Sequence, residues 1–309
     1  MNKIEASFRD PSGYVYRENG EIYRTVNFSY KEQYDYFISC GLYKKLVDKK
    51  YLIQHEEVSD NLPTSVYKIL KPVKIPIVSY PYEWSFSQLK DAALLTLKIQ
   101  FIALKYGMIL KDASAYNVQF LNGKPVFIDT LSFEIYKEGQ IWEAYRQFCQ
   151  HFLAPLLLMS YKDLRFNQLL KTNIDGIPLD FVNSISPIWT KLNPEIFFNV
   201  SMQARLQKKC EHNDTNYKKK PHISKSQLLL INRKLQDLVS SLKFPLKDSE
   251  WGDYYTFTNY DDEAFECKKS IINLYFDKIM PNSLWDLGAN NGLFTRLASS
   301  RGINSVAFD

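Results

Sequence analysis

Residues 283–309, SLWDLGANNGLFTRLASSRGINSVAFD, constrain the fold of this chain more than any other stretch. Ser283–Leu287 is apolar and reads as a strand. Gly292–Ser300 has helical spacing, with Leu293, Phe294 and Leu297 on the inward side. Asn304–Phe308 reads as a second strand, closed by Asp309. Strand, glycine turn, helix and strand make a βαβ unit, the nucleus of a doubly wound sheet that takes its ligand at the carboxyl ends of its strands. Gly288 lets the chain turn sharply out of the first strand, and Gly292 lets the helix start close to a ligand. The N-terminus of that helix offers N–H groups to an anion. Asp309 supplies a carboxylate able to accept both ribose hydroxyls. A βα turn whose glycines serve packing alone would show the same spacing.

The nicotinamide fingerprint G-x-G-x-x-G fails here, because Asn290 and Leu293 stand where its second and third glycines belong. The form D-x-G-x-N-x-G, spanning Asp286, Gly288, Asn290 and Gly292, instead resembles motif I of class I S-adenosylmethionine-dependent methyltransferases. Asp309 falls at that family's motif II acidic position. The resemblance implies that residues 288–292 wrap the methionine part of S-adenosylmethionine and that Asp309 holds its ribose. It implies no metal for methyl transfer and names no catalytic residue or acceptor.

A second constellation lies mid-chain. Asp112, Asn117 and Asp129 follow D-x4-N-x11-D. Asn117 leads into a hairpin (VQFL, turn Asn122-Gly123, PVFID) that Asp129 closes. This resembles the catalytic loop and metal segment of the protein-kinase and aminoglycoside-phosphotransferase superfamily. There the first Asp positions the substrate hydroxyl, and the Asn and second Asp hold Mg²⁺ on the nucleotide phosphates. The alternative cofactor it implies is Mg-ATP. Leu110-Lys111 stands where that superfamily has His-Arg, and Thr130-Leu131 where it has Phe-Gly. No glycine-rich phosphate loop is visible, and Arg24 is the nearest candidate for the nucleotide-pairing lysine. An ordinary hairpin with Asp and Asn capping its turns fits the same spacing.

The order of elements before that loop also resembles that of the superfamily. Gly13–Asn27 reads as a hairpin about Asn19-Gly20. Tyr30–Asp48 reads as a helix with Tyr34, Phe37, Ile38, Leu42 and Leu46 on one face. Short strands are expected at Tyr51–Gln54, Ser65–Leu70 and Ile75–Val78, then a hinge-like SYPYEW. Phe86–Met108 reads as a long helix capped by Ser85 or Ser87, and Trp142–Tyr161 as one that Pro155 kinks or breaks. Lys208–Lys225 reads as a basic surface loop, with Lys218–Lys220 a solvated run. Leu228–Leu242 is a further amphipathic helix, and a new unit begins at Trp251.

Composition sets the outer bounds. The 309 residues carry a net charge of +5, spread along the chain, which gives no indication of nucleic acid. Charged residues make up 24% and hydrophobic ones 45%, the mix of a globular chain. Cys40, Cys149, Cys210 and Cys267 are far apart, so no CxxC pair exists. His151, in QFCQHFLAP, reads as a core histidine. His55 beside Glu56 and Glu57 suggests a metal, but no second ligand cluster accompanies it. The N-terminus MNKIEASFRDPSGY has no apolar signal region, and Ala92–Leu104 and Phe152–Met159 fall short of the roughly 20 residues of a membrane span. These features imply a cytoplasmic bacterial protein that makes no membrane contact.

Several stretches together resemble one bacterial family: GYVYRENGEIYRTVN, SYPYEWSFSQLKDAALLTLKIQFIAL, LKDASAYNVQFLNGKPVFIDTLSFE, YRQFCQHFLAPLLLMS and WDLGANNGLFTRLAS. Its members are two-part class I methyltransferases, some labelled nodulation proteins. The implied fold is an α+β N-terminal region of kinase-like order, followed by an α/β Rossmann-like methyltransferase domain. The expected parts are a β-rich lobe at 1–80, a mainly helical lobe at 81–245 and, at 251–309, a methyltransferase domain incomplete after its second strand. The implied function is S-adenosylmethionine-dependent methyl transfer to an unknown acceptor, with no turnover by these 309 residues alone. A kinase-like phosphotransferase or pseudokinase using Asp112, Asn117 and Asp129 is the alternative, and a nucleotide-sensing scaffold is a third reading.

Overall fold

A computed structural model describes residues 2–3, 10–58, 63–205, 222–244 and 262–309. The chain divides into two units, Met1–Pro245 and Leu246–Asp309. Cys210, the Lys218–Lys220 run and the expected onset of a new unit at Trp251 lie outside the described residues.

The first unit opens on a five-stranded antiparallel sheet. Its strands are β1 (Asn2–Lys3), β2 (Val15–Glu18), β3 (Glu21–Asn27), β4 (His55–Val58) and β5 (Val66–Pro72), in the order β1-β2-β3-β5-β4. The expected hairpin turn is present: Asn19 and Gly20 both take positive φ, +50° and +80°, as a two-residue hairpin loop requires. Arg24, mid-strand in β3, pairs with Val15 on one side and Leu70 on the other, so the sheet fixes its position from both edges.

Several expectations for this region fail in detail. The helix expected over Tyr30–Asp48 is two helices, α1 (Lys31–Ser39) and α2 (Leu42–Asp48). Gly41 between them has φ +82°, which a right-handed helix cannot continue through. Tyr34, Phe37, Leu42 and Leu46 are buried as expected, whereas Ile38 is exposed. Tyr51–Gln54 forms no strand beyond a bridge from Leu52 to Phe127, pairing begins instead at His55, and Ile75–Val78 is irregular.

The core of the unit is built around α3 (Phe86–Lys105). Ser85 accepts from the Gln88 amide and Gln88 reaches back to the Ser85 N–H, a capping box that sets the start of the helix. Leu89, Ala92, Ala93, Leu97, Ile99, Ala103 and Leu104 are all fully buried. Apolar burial of this kind is worth about 1.5–3 kcal/mol for each large side chain. The helix Lys225–Ser241 packs against α3, and its buried Asn232 donates to the Leu97 carbonyl at 3.1 Å. Trp142–Tyr161 holds α-helical turns at Tyr145–Phe148 and Ala154–Tyr161, with a π-helical turn, Cys149–Leu153, between them. Pro155 lies just after that turn, and the wider register accommodates its missing N–H.

Three short pairings follow α3. β6 (Met108–Leu110) pairs with β9 (Phe133–Ile135), and β7 (Val118–Leu121) with β8 (Lys124–Phe127) across Asn122 and Gly123, both at positive φ. The hairpin therefore stands between two strands that pair with each other, which brings the segments before β7 and after β8 together.

In the second unit the helix Asp262–Ile279 precedes β10 (Ser283–Leu287), the helix Leu293–Ser300 and β11 (Asn304–Phe308). β10 and β11 are parallel in register, Leu287 opposite Phe308, with the helix as crossover. Trp285 and Leu287 are exposed. No helix among the described residues is long and apolar enough to cross a membrane.

Candidate functional site

A cavity of about 740 Å³ in the first unit brings Asp112, Asn117 and Asp129 into one wall, with Arg24 and Lys111 beside them. Its volume is in the range that holds a drug-sized or nucleotide-sized ligand. Asp112 and Asn117 come from the loop between β6 and β7, and Asp129 follows β8.

Hydrogen bonds close this group. The Asp112 carboxylate accepts the Ser114 amide at 2.9 Å. Asn117 and Asp129 meet through Ser132, whose Oγ is 3.3 Å from Asn117 Nδ2 and 2.6 Å from Asp129 Oδ2. The Asn117 amide nitrogen and the Asp129 carboxylate are thus no more than about 6 Å apart, bridged by the Ser132 hydroxyl. Burial and the neighbouring Asp129 charge push the Asp112 carboxyl above the ordinary range.

The opposite charge comes from two residues far apart in sequence. Arg24 Nη2 is 2.7 Å from Asp10 Oδ2 and 3.2 Å from Asp129 Oδ1. Lys111 Nζ bonds Ser12 Oγ at 2.8 Å, lies 4.0 Å from Asp10 and sits over the Tyr30 ring. The Asp10–Ser12 segment therefore lies against both cations. Gly13 next to it would bring a Cβ to 1.9 Å from the Thr25 carbonyl oxygen.

The lining also includes apolar side chains, Ile53, Leu70, Pro72, Val73 and Val78, with His55 and Lys74 among them. Gln119 on β7 pins the connector there, accepting from the Ser79 amide at 3.0 Å and donating to its carbonyl at 2.9 Å. Sequence reasoning brought together Asp112, Asn117 and Asp129 and pointed to Arg24. It missed Asp10, Lys111 and Ser132 as partners. For Lys111 its place next to Asp112 was the available signal; for Asp10 there was none. The metal suggested by His55, Glu56 and Glu57 finds no ligand set, since no group of three His, Cys, Asp or Glu among the described residues could hold an ion. Glu57 is taken by Lys68 and Tyr34. His151 is buried against Tyr116, as a core histidine.

The oxygen donors in this cavity suit a hard cation, and Arg24 and Lys111 suit phosphate, so the residues present fit Mg-ATP.

In the second unit, Gly288 and Asp309 stand at the same ends of β10 and β11. The Gly288 and Ala289 amides both donate to the Phe308 carbonyl, at 2.8 and 3.0 Å. Gly288, Asn290 and Gly292 all have positive φ, +74°, +49° and +74°. A Cβ on Gly288 would meet no atom within 4 Å, so packing does not account for the glycine, and the space over the turn is open. The backbone turn and the neighbouring carboxylate of Asp309 fit the amino-acid and ribose parts of S-adenosylmethionine. Asp286 accepts the Thr295 hydroxyl at 2.6 Å. Asn290 Oδ1 accepts the Asn291 amide at 2.7 Å.

No protein-family model matches the chain. It is similar to the nodulation protein NoeA of Rhizobium meliloti (strain 1021), with 32% identity over 321 residues. That alignment takes in 99% of this chain, which spans 66% of the length of the relative. The similarity thus runs along almost the whole of this chain and covers slightly less than two thirds of the relative.

Proposed function

We propose that the protein is an S-adenosylmethionine-dependent methyltransferase whose second unit begins the cofactor site. The observation that carries this reading is the parallel β10–helix–β11 unit, with Gly288, Asn290 and Gly292 at positive φ and Asp309 at the adjoining strand end. When bound, the cofactor supplies an electrophilic methyl group. The 288–292 backbone holds its amino-acid part, and the Asp309 carboxylate accepts from its ribose hydroxyls. Asp286 fixes the turn through Thr295. Methyl transfer then depends chiefly on holding an acceptor nucleophile in line. Calorimetric titration of the whole protein with S-adenosylmethionine tests the reading. Saturable binding lost in Gly288→Val supports it, and absence of binding refutes it.

A second reading, for the first unit, has its own observation: Asp112, Asn117 and Asp129 converge on one cavity with Arg24 and Lys111. It favours a Mg-ATP site of kinase-like order, either phosphotransferase or pseudokinase. Asn117 and Asp129 would hold the metal, Arg24 and Lys111 the phosphates, and Asp112 a substrate hydroxyl. A thermal shift with Mg-ATP that chelation abolishes supports the site, and release of phosphate from ATP separates the two forms.

A further inference from the structure

The glycine turn of the second unit can wrap a ligand, but many of its own amides are engaged. Gly288 and Ala289 donate to the Phe308 carbonyl, and Gly292 donates to the Ala289 carbonyl at 2.8 Å. The Asn291 and Leu293 amides are taken by the side-chain oxygens of Asn290 and Asn291, at 2.7 and 3.1 Å. These N–H groups therefore bond within the unit and do not face an anion, unlike the free N–H groups expected at the start of this helix. A carboxylate brought to the turn gives up water, so it needs another donor.

Arg296 is in place to be that donor. It ends the first turn of the helix Leu293–Ser300, and its side chain folds back to the start of the helix. There its Nη1 donates to the Asn291 carbonyl at 2.6 Å. A Cβ on Gly292 would meet only this guanidinium, at 3.6 Å, so Arg296 borders the open space beside that glycine. Its other guanidinium N–H groups have no partner among the described residues, and no carboxylate there pairs with it. The helix dipole opposes a cation at this end. Arg301 closes the same helix, where the dipole favours a cation, and it is held by Asn273 and Asp277. Of the two arginines, only Arg296 keeps open donors, and it keeps them beside the turn.

We propose that Arg296 is a specificity-determining residue of the second unit, its guanidinium taking the carboxylate of the amino-acid part of S-adenosylmethionine. The inference rests on reading this unit as the cofactor site. A guanidinium presents two parallel N–H groups to a carboxylate, which neither an ammonium nor a single backbone amide reproduces. Gly292 has no side chain to stand between that carboxylate and the guanidinium. The cofactor is then held by two charged contacts, Asp309 on its ribose hydroxyls and Arg296 on its carboxylate. A sulfonium nucleoside that lacks the carboxylate loses the second of them.

The test is calorimetric titration of the whole protein with S-adenosylmethionine and with decarboxylated S-adenosylmethionine. The second ligand keeps the sulfonium and the ammonium and lacks only the carboxylate. The wild type is expected to bind S-adenosylmethionine at least about tenfold more tightly than the decarboxylated form. Arg296 is exposed, so its replacement leaves the packing of the unit intact. Arg296→Gln is expected to weaken S-adenosylmethionine by about tenfold and to leave the decarboxylated form within about twofold. Arg296→Lys keeps the charge without the fork and is expected to restore part of the preference. Equal binding of the two ligands by the wild type, or equal losses for both in Arg296→Gln, or an unchanged preference in that variant, overturns the role of Arg296 and leaves the cofactor reading standing. A wild type that binds neither ligand overturns both.

Discussion

Arg24 lies 3.2 Å from Asp129, a contact that ties the middle strand of the sheet to the segment after the second hairpin. Both side chains are mostly buried, at 14% and 21% exposure. The same guanidinium nitrogen also meets Asp10 at 2.7 Å, so two carboxylates share one cation in the cavity wall. Asp10 thus stands where an anionic ligand group would be drawn. Asp10→Ala removes a competing anion and is expected to raise the affinity for ATP or pyrophosphate severalfold, at a stability cost of order 1 kcal/mol. Weaker binding in that variant would show that Asp10 supports the site and does not compete for it.

Asp129 is the residue most exposed to test by charge. Its Oδ1 faces Arg24 and its Oδ2 accepts from Ser132, so a metal must share or displace these contacts. Asp129→Asn keeps the shape and loses the charge. It is expected to weaken Mg-ATP binding by about tenfold or more, and to leave metal-free ATP binding within about twofold. Equal losses with and without Mg²⁺ would take the metal out of the site.

Gly13 gives a stability prediction. An alanine Cβ there would fall 1.9 Å from the Thr25 carbonyl oxygen, which is strand backbone and cannot swing aside. The Tyr14 amide is also held by the Thr25 hydroxyl at 2.8 Å. Gly13→Ala is expected to cost about 1–3 kcal/mol through forced backbone movement. Denaturant titration reads this directly, and a cost below about 0.5 kcal/mol would mean that the segment is free to shift.

What the sequence made legible was what short-range chemistry decides. Asn19-Gly20 and Asn122-Gly123 announced their turns because few other pairs take two positive φ angles in succession. Ser85 was one of two caps offered for the start of α3, and its capping box with Gln88 shows which of the two acts. Asp112, Asn117 and Asp129 could be grouped because one loop and one hairpin carry all three. The break at Gly41 was hidden, since apolar spacing runs on through Leu42 and Leu46. Pairing that begins at His55 in place of Tyr51 is decided by β5, a partner the local pattern does not contain. Asp10, Arg24 and Lys111 meet only after the sheet and the helical body have packed, so no local signal joins them.

The two buried histidines set an acid limit. Burial lowers both His55 and His151 from 6.5 to about 4. The unfolded chain therefore binds more protons than the folded one between those values. Their contribution is full above pH 6.5 and is lost as pH falls toward about 4. Each is worth on the order of 3 kcal/mol. Asp112 has the opposite sign: its raised carboxyl favours the fold as pH falls through its pKa. The urea midpoint is expected to be flat above pH 7 and to drop between pH 6.5 and 4, less steeply in His55→Phe. The same slope in that variant would show that His55 is not held neutral by burial.

Two glycines of the second unit allow backbone strain to be separated from cofactor contact. Gly288 has φ +74° and Gly302 has φ +79°, and a Cβ on either would meet nothing within 4 Å. An alanine at either position pays the same left-handed penalty, about 1 kcal/mol, with no clash to add to it. The two differ in place. Gly288 follows β10 at the strand end that carries Asp309, whereas Gly302 precedes β11 at the opposite end. In the whole protein, Gly288→Ala and Gly302→Ala are expected to lower the melting temperature by similar amounts. Only Gly288→Ala is expected to weaken S-adenosylmethionine binding, by about tenfold or more, because the cofactor must lie against that backbone. Asp309→Asn should weaken it comparably by removing the charge on the ribose hydroxyls. Equal affinities in the two glycine variants would leave Gly288 as a turn residue only and move the cofactor away from this strand end.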